Sequence, residues 1–88
     1  MAQIHLTIVT PKGRHYDGEA RRIVVRTKAG DVCIMPRHID FAAALGEGEA
    51  RVTEPDGKVR RAEIHGGMLH VAADNVQVVT NGFAWKDE

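Results

Sequence analysis

The sequence predicts an all-β fold: a small flattened β-sandwich or barrel of about eight to ten short antiparallel strands, forming one domain over residues 1–88. Three observations carry this. Apolar residues recur with a period of two, as in Ile4, Leu6 and Ile8 against Gln3, His5 and Thr7, which is the pattern of a half-buried strand. Gly, Pro, Asn and Asp punctuate the chain at short intervals. No segment is long enough to be a stable helix, since the sole helical option, Phe41 to Leu45, is too short to stand alone.

The elements follow in order. After the first strand, Thr10-Pro11 ends the pattern. Further strands are expected at Arg14 to Tyr16, Arg21 to Thr27, Val32 to Met35, Glu49 to Thr53, Lys58 to Ile64, Met68 to Ala72 and Val76 to Thr80. Turns are expected at Tyr16-Asp17-Gly18, Gly46-Glu47-Gly48 and Gly66-Gly67. Asp56-Gly57 reads as a two-residue hairpin, because a tight turn with positive φ favours Asp then Gly, and Asp74-Asn75 is a weaker signal of the same kind.

Composition limits the function classes. A chain of 88 residues buries roughly 60 to 70% of its unfolded surface, so its core is thin. Twelve basic and twelve acidic side chains cancel. No long-range field then favours nucleic acid or an anionic membrane, and neutrality points to a protein partner. Four aromatic residues, Tyr16, Phe41, Phe83 and Trp85, make no stacking platform for single strands. The N-terminus has no apolar stretch of signal-peptide length, and no segment nears the roughly 18 apolar residues of a membrane span. Direct lipid insertion is therefore not expected.

Catalytic and metal chemistry find little support. The chain has no serine, which excludes a Ser-His-Asp hydrolase. Cys33 is the only cysteine, so there is no internal disulfide framework, and a reducing compartment fits. Cys33 and His38 could pair as nucleophile and base. The apolar neighbours Val32 and Ile34 instead favour a packed, inert thiol. His65 and His70 lie five apart with Gly66-Gly67 between them, and His5 and His15 read as solvated strand residues; no metal-ligand set emerges. Lys12-Gly13 and the scattered glycines lack the spacing of a phosphate cradle. Arg21, Arg22, Arg26, Lys58, Arg60 and Arg61, interleaved with Glu19, Glu54, Asp56 and Glu63, read as a solvated, charge-mixed face. Trp85 is either an interface anchor or a cover for the sandwich edge. No cofactor is expected.

One stretch stands apart. Gly30-Asp31 leads into an apolar segment through Met35, Pro36 stops it, the polar corner Arg37-His38-Ile39-Asp40 follows, and an apolar run resumes at Phe41 before Gly48-Glu49-Ala50-Arg51-Val52. It reads as a docking loop. The order and spacing resemble the epsilon subunit of F-type ATP synthases, in which Gly-acidic-x-Gly-Ile-x-Pro-Gly-His-Ala-Pro precedes an apolar run and a Gly-x-x-Arg-hydrophobic strand. The resemblance extends over the whole chain, taking in the first strand, the Asp56-Gly57 hairpin and Gly66-Gly67. Cys33 and Arg37 replace glycines of that pattern, and Ile39-Asp40 replaces Ala-Pro. The Pro36-Arg37-His38-Ile39-Asp40-Phe41 form is similar to epsilon of the alternative, sodium-linked N-type ATPases.

The resemblance implies a non-catalytic central-stalk (rotor) subunit that couples rotation of the membrane ring to the catalytic head through the gamma subunit and the ring. It implies a peripheral position on the cytoplasmic face of the bacterial inner membrane. The residues it brings forward as partner interface are Asp31, Met35, Arg37, His38, Asp40 and Phe41. Arg37 in place of glycine would cost about 1 kcal/mol if the left-handed backbone were kept, so a reshaped loop is expected there, with a guanidinium able to pair with a partner carboxylate as the gain. A free-standing ligand- or protein-binding sandwich is the alternative, since the fold hosts many functions, and the isolated domain could self-associate. The family's carboxy-terminal helical hairpin would begin where this sequence stops, at Trp85-Lys86-Asp87-Glu88. The chain is accordingly expected neither to inhibit ATP hydrolysis nor to bind ATP; equilibrium dialysis with labelled ATP should give no saturable uptake.

Overall fold

Eight strands and no helix make up the described residues, 3–37 and 39–86, of the computed structural model. They are β1 (Ile4–Thr10), β2 (Gly13–Ala20), β3 (Arg22–Thr27), β4 (Gly30–Ile34), β5 (Phe41–Thr53), β6 (Val59–Ala72), β7 (Asn75–Thr80) and β8 (Phe83–Trp85). The strands form one sheet in the order β2-β1-β7-β6-β5-β3-β4, with β8 added to β6. That sheet is folded over on itself. The first part of β6 pairs with the last part of β5 and with β8, while the second part pairs with the first part of β5 and with β7. Inward side chains of both layers, among them Ile23, Val25, Ile34, Val52 and Ile64 on one side and Leu6, Ile8, Leu69, Val71 and Val78 on the other, join in a single core.

Period-two patterning placed the core correctly: Ile4, Leu6 and Ile8 are buried and His5 is exposed. The all-β sandwich stands, but β5 and β6, at 13 and 14 residues, are not short strands. Phe41 to Leu45 is strand and not helix, because Phe41, Ala43 and Leu45 pair with Val71, Leu69 and Gly67; long-range pairing overrides the local helix preference of alanine. Tyr16-Asp17-Gly18 lies inside β2, opposite Ile8, Thr7 and Leu6, and the turn falls at Pro11-Lys12 instead. Gly46-Glu47-Gly48 and Gly66-Gly67 also lie within strands. One strand pair is parallel, β1 with β7; hairpin signals fix the orientation of sequence neighbours only, and these two strands are joined by no turn.

The hairpin signals marked the right places with the wrong turns. At the β5–β6 end, Gly57 N–H donates to Glu54 O and Glu54 N–H donates to Lys58 O, both at 2.8 Å, so the loop is longer than two residues and Gly57 supplies a φ of 95°. At the β6–β7 end, Ala72 pairs with Asn75, which puts the turn at Ala73-Asp74, one residue early. Cys33 is exposed where a packed thiol was expected. Its neighbours Val32 and Ile34 are apolar because they face inward, and strand alternation turns Cys33 outward for that very reason.

The glycines within β5 and β6 mark the crease. A Cβ on Gly67 would stand 2.0 Å from the Val79 carbonyl oxygen, and its φ is 113°, so neither space nor backbone admits another residue. Gly67→Ala should lower stability by more than about 3 kcal/mol or prevent folding, combining overpacking with left-handed strain. Gly18→Ala, which meets nothing within 4 Å, should change it by no more than about 0.5 kcal/mol; urea midpoints of the two variants check both.

Candidate functional site

The segment between β4 and β5 is pinned to the turn between β6 and β7. Pro36 and Arg37 turn the chain. Arg37 N–H donates to Asp74 Oδ1 at 2.8 Å, and Ala73 N–H donates to Asp40 Oδ1 at 2.9 Å. Each segment thus supplies one carboxylate and one amide to the other. Asp74 also accepts His5 N–H at its backbone oxygen, 2.8 Å away, which ties β1 to the same corner. Among the described residues, Arg37 and Ala73 are the non-glycine residues with positive φ, at 66° and 54°. Arg37 has therefore kept the left-handed backbone, and the reshaping expected for a glycine replacement has not occurred.

The six interface candidates do not form one cluster. Arg37, Asp40, Met35 and Phe41 belong to this corner; Met35 is half exposed, and Phe41 packs against the core from the start of β5. His38 lies outside the described residues. Asp31 stands at the other end of β4, roughly 13 Å of strand from Met35, and accepts Arg26 Nε–H at 2.6 Å. That hydrogen bond holds the Asp31 carboxyl below its ordinary range and pushes the Arg26 guanidinium up.

A second feature was missed by sequence reasoning. The outward residues of β5, β6, β7 and β1 in the outer layer are Ala42 and Ala44, Met68, His70 and Ala72, Asn75, Gln77 and Val79, and His5, Thr7 and Val9. None is Asp, Glu, Lys or Arg. Register aligns Ala44, Met68, Val79 and Val9 into one stripe across four strands, with Met68 and Val79 about half exposed (50% and 47%). Charge appears at the flanking strand β2, where Arg14, Asp17 and Glu19 face Val9, Thr7 and His5, and at the corner that carries Arg37, Asp40 and Asp74. An uncharged centre with methionine and a charged rim is the composition of a protein interface. Writing out the outward residues of each strand would have exposed it.

The remaining candidates resolve simply. Trp85 is a partly buried cover: Phe83 meets it edge-on with ring centroids 4.8 Å apart, and the Arg60 guanidinium lies 3.7 Å above its ring. Burial and the Glu54 carboxylate push the nearby Tyr16 phenol up, with Arg60 opposing. His15 Nε2 and Thr10 Oγ1 are 2.8 Å apart, and His5 Nε2 lies 3.1 Å from Asp17. No group of His, Cys, Asp and Glu among the described residues could hold a metal ion. The two basic clusters are split: Arg60 sits over Trp85, Arg21 Nε–H donates to Pro55 O at 2.9 Å, and Arg22 and Arg61 face outward.

The described residues thus form a small folded-over β-sandwich domain with one uncharged face and a pinned corner loop. Residues 3–86 match the family described as ATP synthase, Delta/Epsilon chain, beta-sandwich domain, and the chain belongs to that family. It is 33% identical over 85 residues to an ATP synthase epsilon chain of Clostridium acetobutylicum, covering 97% of this chain and 64% of that one. It is 35% identical over 79 residues to the epsilon chain of Alkalihalophilus pseudofirmus, covering 90% and 59%. The chain thus spans about three-fifths of the length of these relatives. Among solved structures, a chain of the Euglena gracilis mitochondrial ATP synthase (OSCP/F1/c-ring) superimposes with a TM-score of 0.92 at 26% identity, over all of this chain and 56% of that one. A chain of the Tetrahymena thermophila mitochondrial ATP synthase central stalk and c-ring, at 18% identity and a TM-score of 0.79 over 99% and 69%, shares the fold.

The pinned loop gives a thermodynamic expectation. Arg37→Gly removes a left-handed cost of roughly 1–2 kcal/mol and adds roughly 0.5–1 kcal/mol of unfolded-state entropy, so it should stabilise the chain slightly, whereas Arg37→Ala should not. Asp74→Ala should cost about 1 kcal/mol and leave the Arg37 amide less protected; urea midpoints and amide hydrogen exchange read both.

Proposed function

We propose that this chain is a rotor subunit of the central stalk in a proton- or sodium-translocating F-type ATP synthase or ATPase, of the kind its Pro36-Arg37-His38-Ile39-Asp40-Phe41 segment resembles in the N-type subgroup, at the cytoplasmic face of a bacterial inner membrane. Its uncharged face and corner loop dock on gamma and on the membrane ring. The observation that carries this reading is the charge-depleted outward face of β5, β6, β7 and β1, continuous with the loop that carries Arg37 and Asp40. Membership of the delta/epsilon family supports it.

The task is mechanical. Torque passing through ring, gamma and epsilon as one body requires stiffness and complementary surfaces, with no nucleophile or proton donor. The sandwich supplies the stiffness. Met68, Val79 and the small residues Ala42 and Ala44 form a flat contact for gamma. Arg37, with Met35, Asp40 and Phe41 in the same corner and His38 next to it in sequence, sets register against a partner carboxylate. Asp31, at the far end of β4, belongs to a separate contact with the ring.

Native mass spectrometry with the gamma subunit encoded beside this chain should give a one-to-one complex. Met68→Glu places a charge in the uncharged stripe and should weaken the complex at least tenfold, and Arg37→Glu should weaken it also. Absence of a complex with folded gamma, or one indifferent to both substitutions, would contradict the reading.

A further inference from the structure

The opposite face of the sandwich carries a different site. Because the inward residues of both layers share one core, the outward face of β3, β4 and the adjoining parts of β5 and β6 looks away from the uncharged face. It holds a cleft of about 250 Å³ lined by Arg22, Val24, Arg51, Thr53 and Val59. We propose that this cleft receives the carboxylate side chains of an acidic polypeptide segment from a partner protein, so that the chain can be held from both sides at once.

Three observations support it. Register sets Arg51 directly opposite Arg61, so two guanidiniums stand in one row of the face. Arg22, across from Thr53 in the neighbouring row, makes no ion pair among the described residues. The acidic residues of this face are shared among several cations: Asp31 is held by Arg26 at 2.6 Å, and Glu49 pairs with Lys86 at 3.2 Å as well as with Arg51 at 3.7 Å. Arg22, Arg51 and Arg61 thus lie toward one end of the face, while Asp31, Glu49 and Glu63 lie toward the other, where Arg26 and Lys86 already pair with Asp31 and Glu49.

Size and lining select the ligand class. The volume falls below the roughly 300–1,000 Å³ of small-molecule pockets, and the lining has no aromatic ring to stack a base. Two valines, one of them 44% exposed (Val59), give the methylenes of a glutamate an apolar wall while the guanidiniums take its carboxylate in bidentate fashion. An open cleft on a flat strand face fits the side chains of a passing polypeptide better than an enclosed metabolite.

The thiol of Cys33 is exposed and stands opposite Val24, a lining residue, so an environment-sensitive dye there reports on the cleft of the otherwise native chain. A synthetic hexaglutamate peptide at low salt should give a saturable signal. The paired substitution Arg22→Gln with Arg51→Gln should weaken it at least tenfold, and the charge-matched control Lys12→Gln with Lys28→Gln should leave it within twofold. No saturable signal with the native chain, or equal loss in both pairs, overturns the proposal. Tripolyphosphate binding as tightly through the same arginines also overturns it, in favour of a phosphate site. Since gamma is absent from the assay, its result is independent of whether the uncharged face docks there.

Discussion

The architecture depends on one close approach. The Val79 carbonyl oxygen occupies the space that a side chain on Gly67 would need, and that close approach lets β7 pair with β6 right up to the crease, where Gly67 meets Thr80. Gly66 and Gly67, with φ of 71° and 113°, let β6 leave one layer and enter the other without breaking. Opposite them, Gly46 and Gly48 bend β5 in step, and the Arg26 side chain packs over Gly48, 3.1 Å from where a Cβ would be. Glycine is required here for space and backbone together.

From the crease follows the separation of the two outer faces. A single folded sheet has one inside and two outsides, and strand alternation fills the outsides independently of the core. One outside is uncharged and partly apolar, while the other carries Arg22, Arg26, Arg51, Arg61 and Lys86 against Asp31, Glu49 and Glu63. The formal charge of zero is a sum over this asymmetry and hides it. Local patterning, not net charge, determines which partner can approach each side.

Much of this was legible in the sequence, and the losses share a physical cause. Alternation in β1 identified Ile4, Leu6 and Ile8 as buried, because a half-buried strand must alternate whatever its neighbours are. Glycine was read as a turn at 18, 46, 48, 66 and 67, since a local signal cannot distinguish a reversal from a bend within a continuing strand; only the cross-strand partners Leu6, His65 and Leu45 decide it. Cys33 was misjudged by taking apolar neighbours as evidence of burial. The loop was recognised from its order of residues, yet its anchor, Asp74, lies 37 residues from Arg37 and gave no local sign. The absence of charge could be read strand by strand from the outward residues, but the stripe they form is assembled from four strands by register and gave no local sign.

Stiffness has its source in the same long strands. In a sandwich of two separate sheets, load passes between layers through dispersion contacts, which are individually weak. Here β5 and β6 belong to both layers and are paired with each other nearly end to end, from Phe41 with Val71 to Thr53 with Val59. Shear between the layers must therefore stretch covalent backbone and break a hydrogen-bonded ladder, rather than slide one apolar surface over another. The pinned corner extends this resistance to the loop, since Arg37 and Asp40 are held to the β6–β7 turn and Asp74 holds β1 as well. A side chain presented from such a corner keeps its place under load, and keeping Arg37 in a left-handed conformation that glycine would adopt more cheaply is consistent with its guanidinium, and not its backbone, being what the corner is built to present.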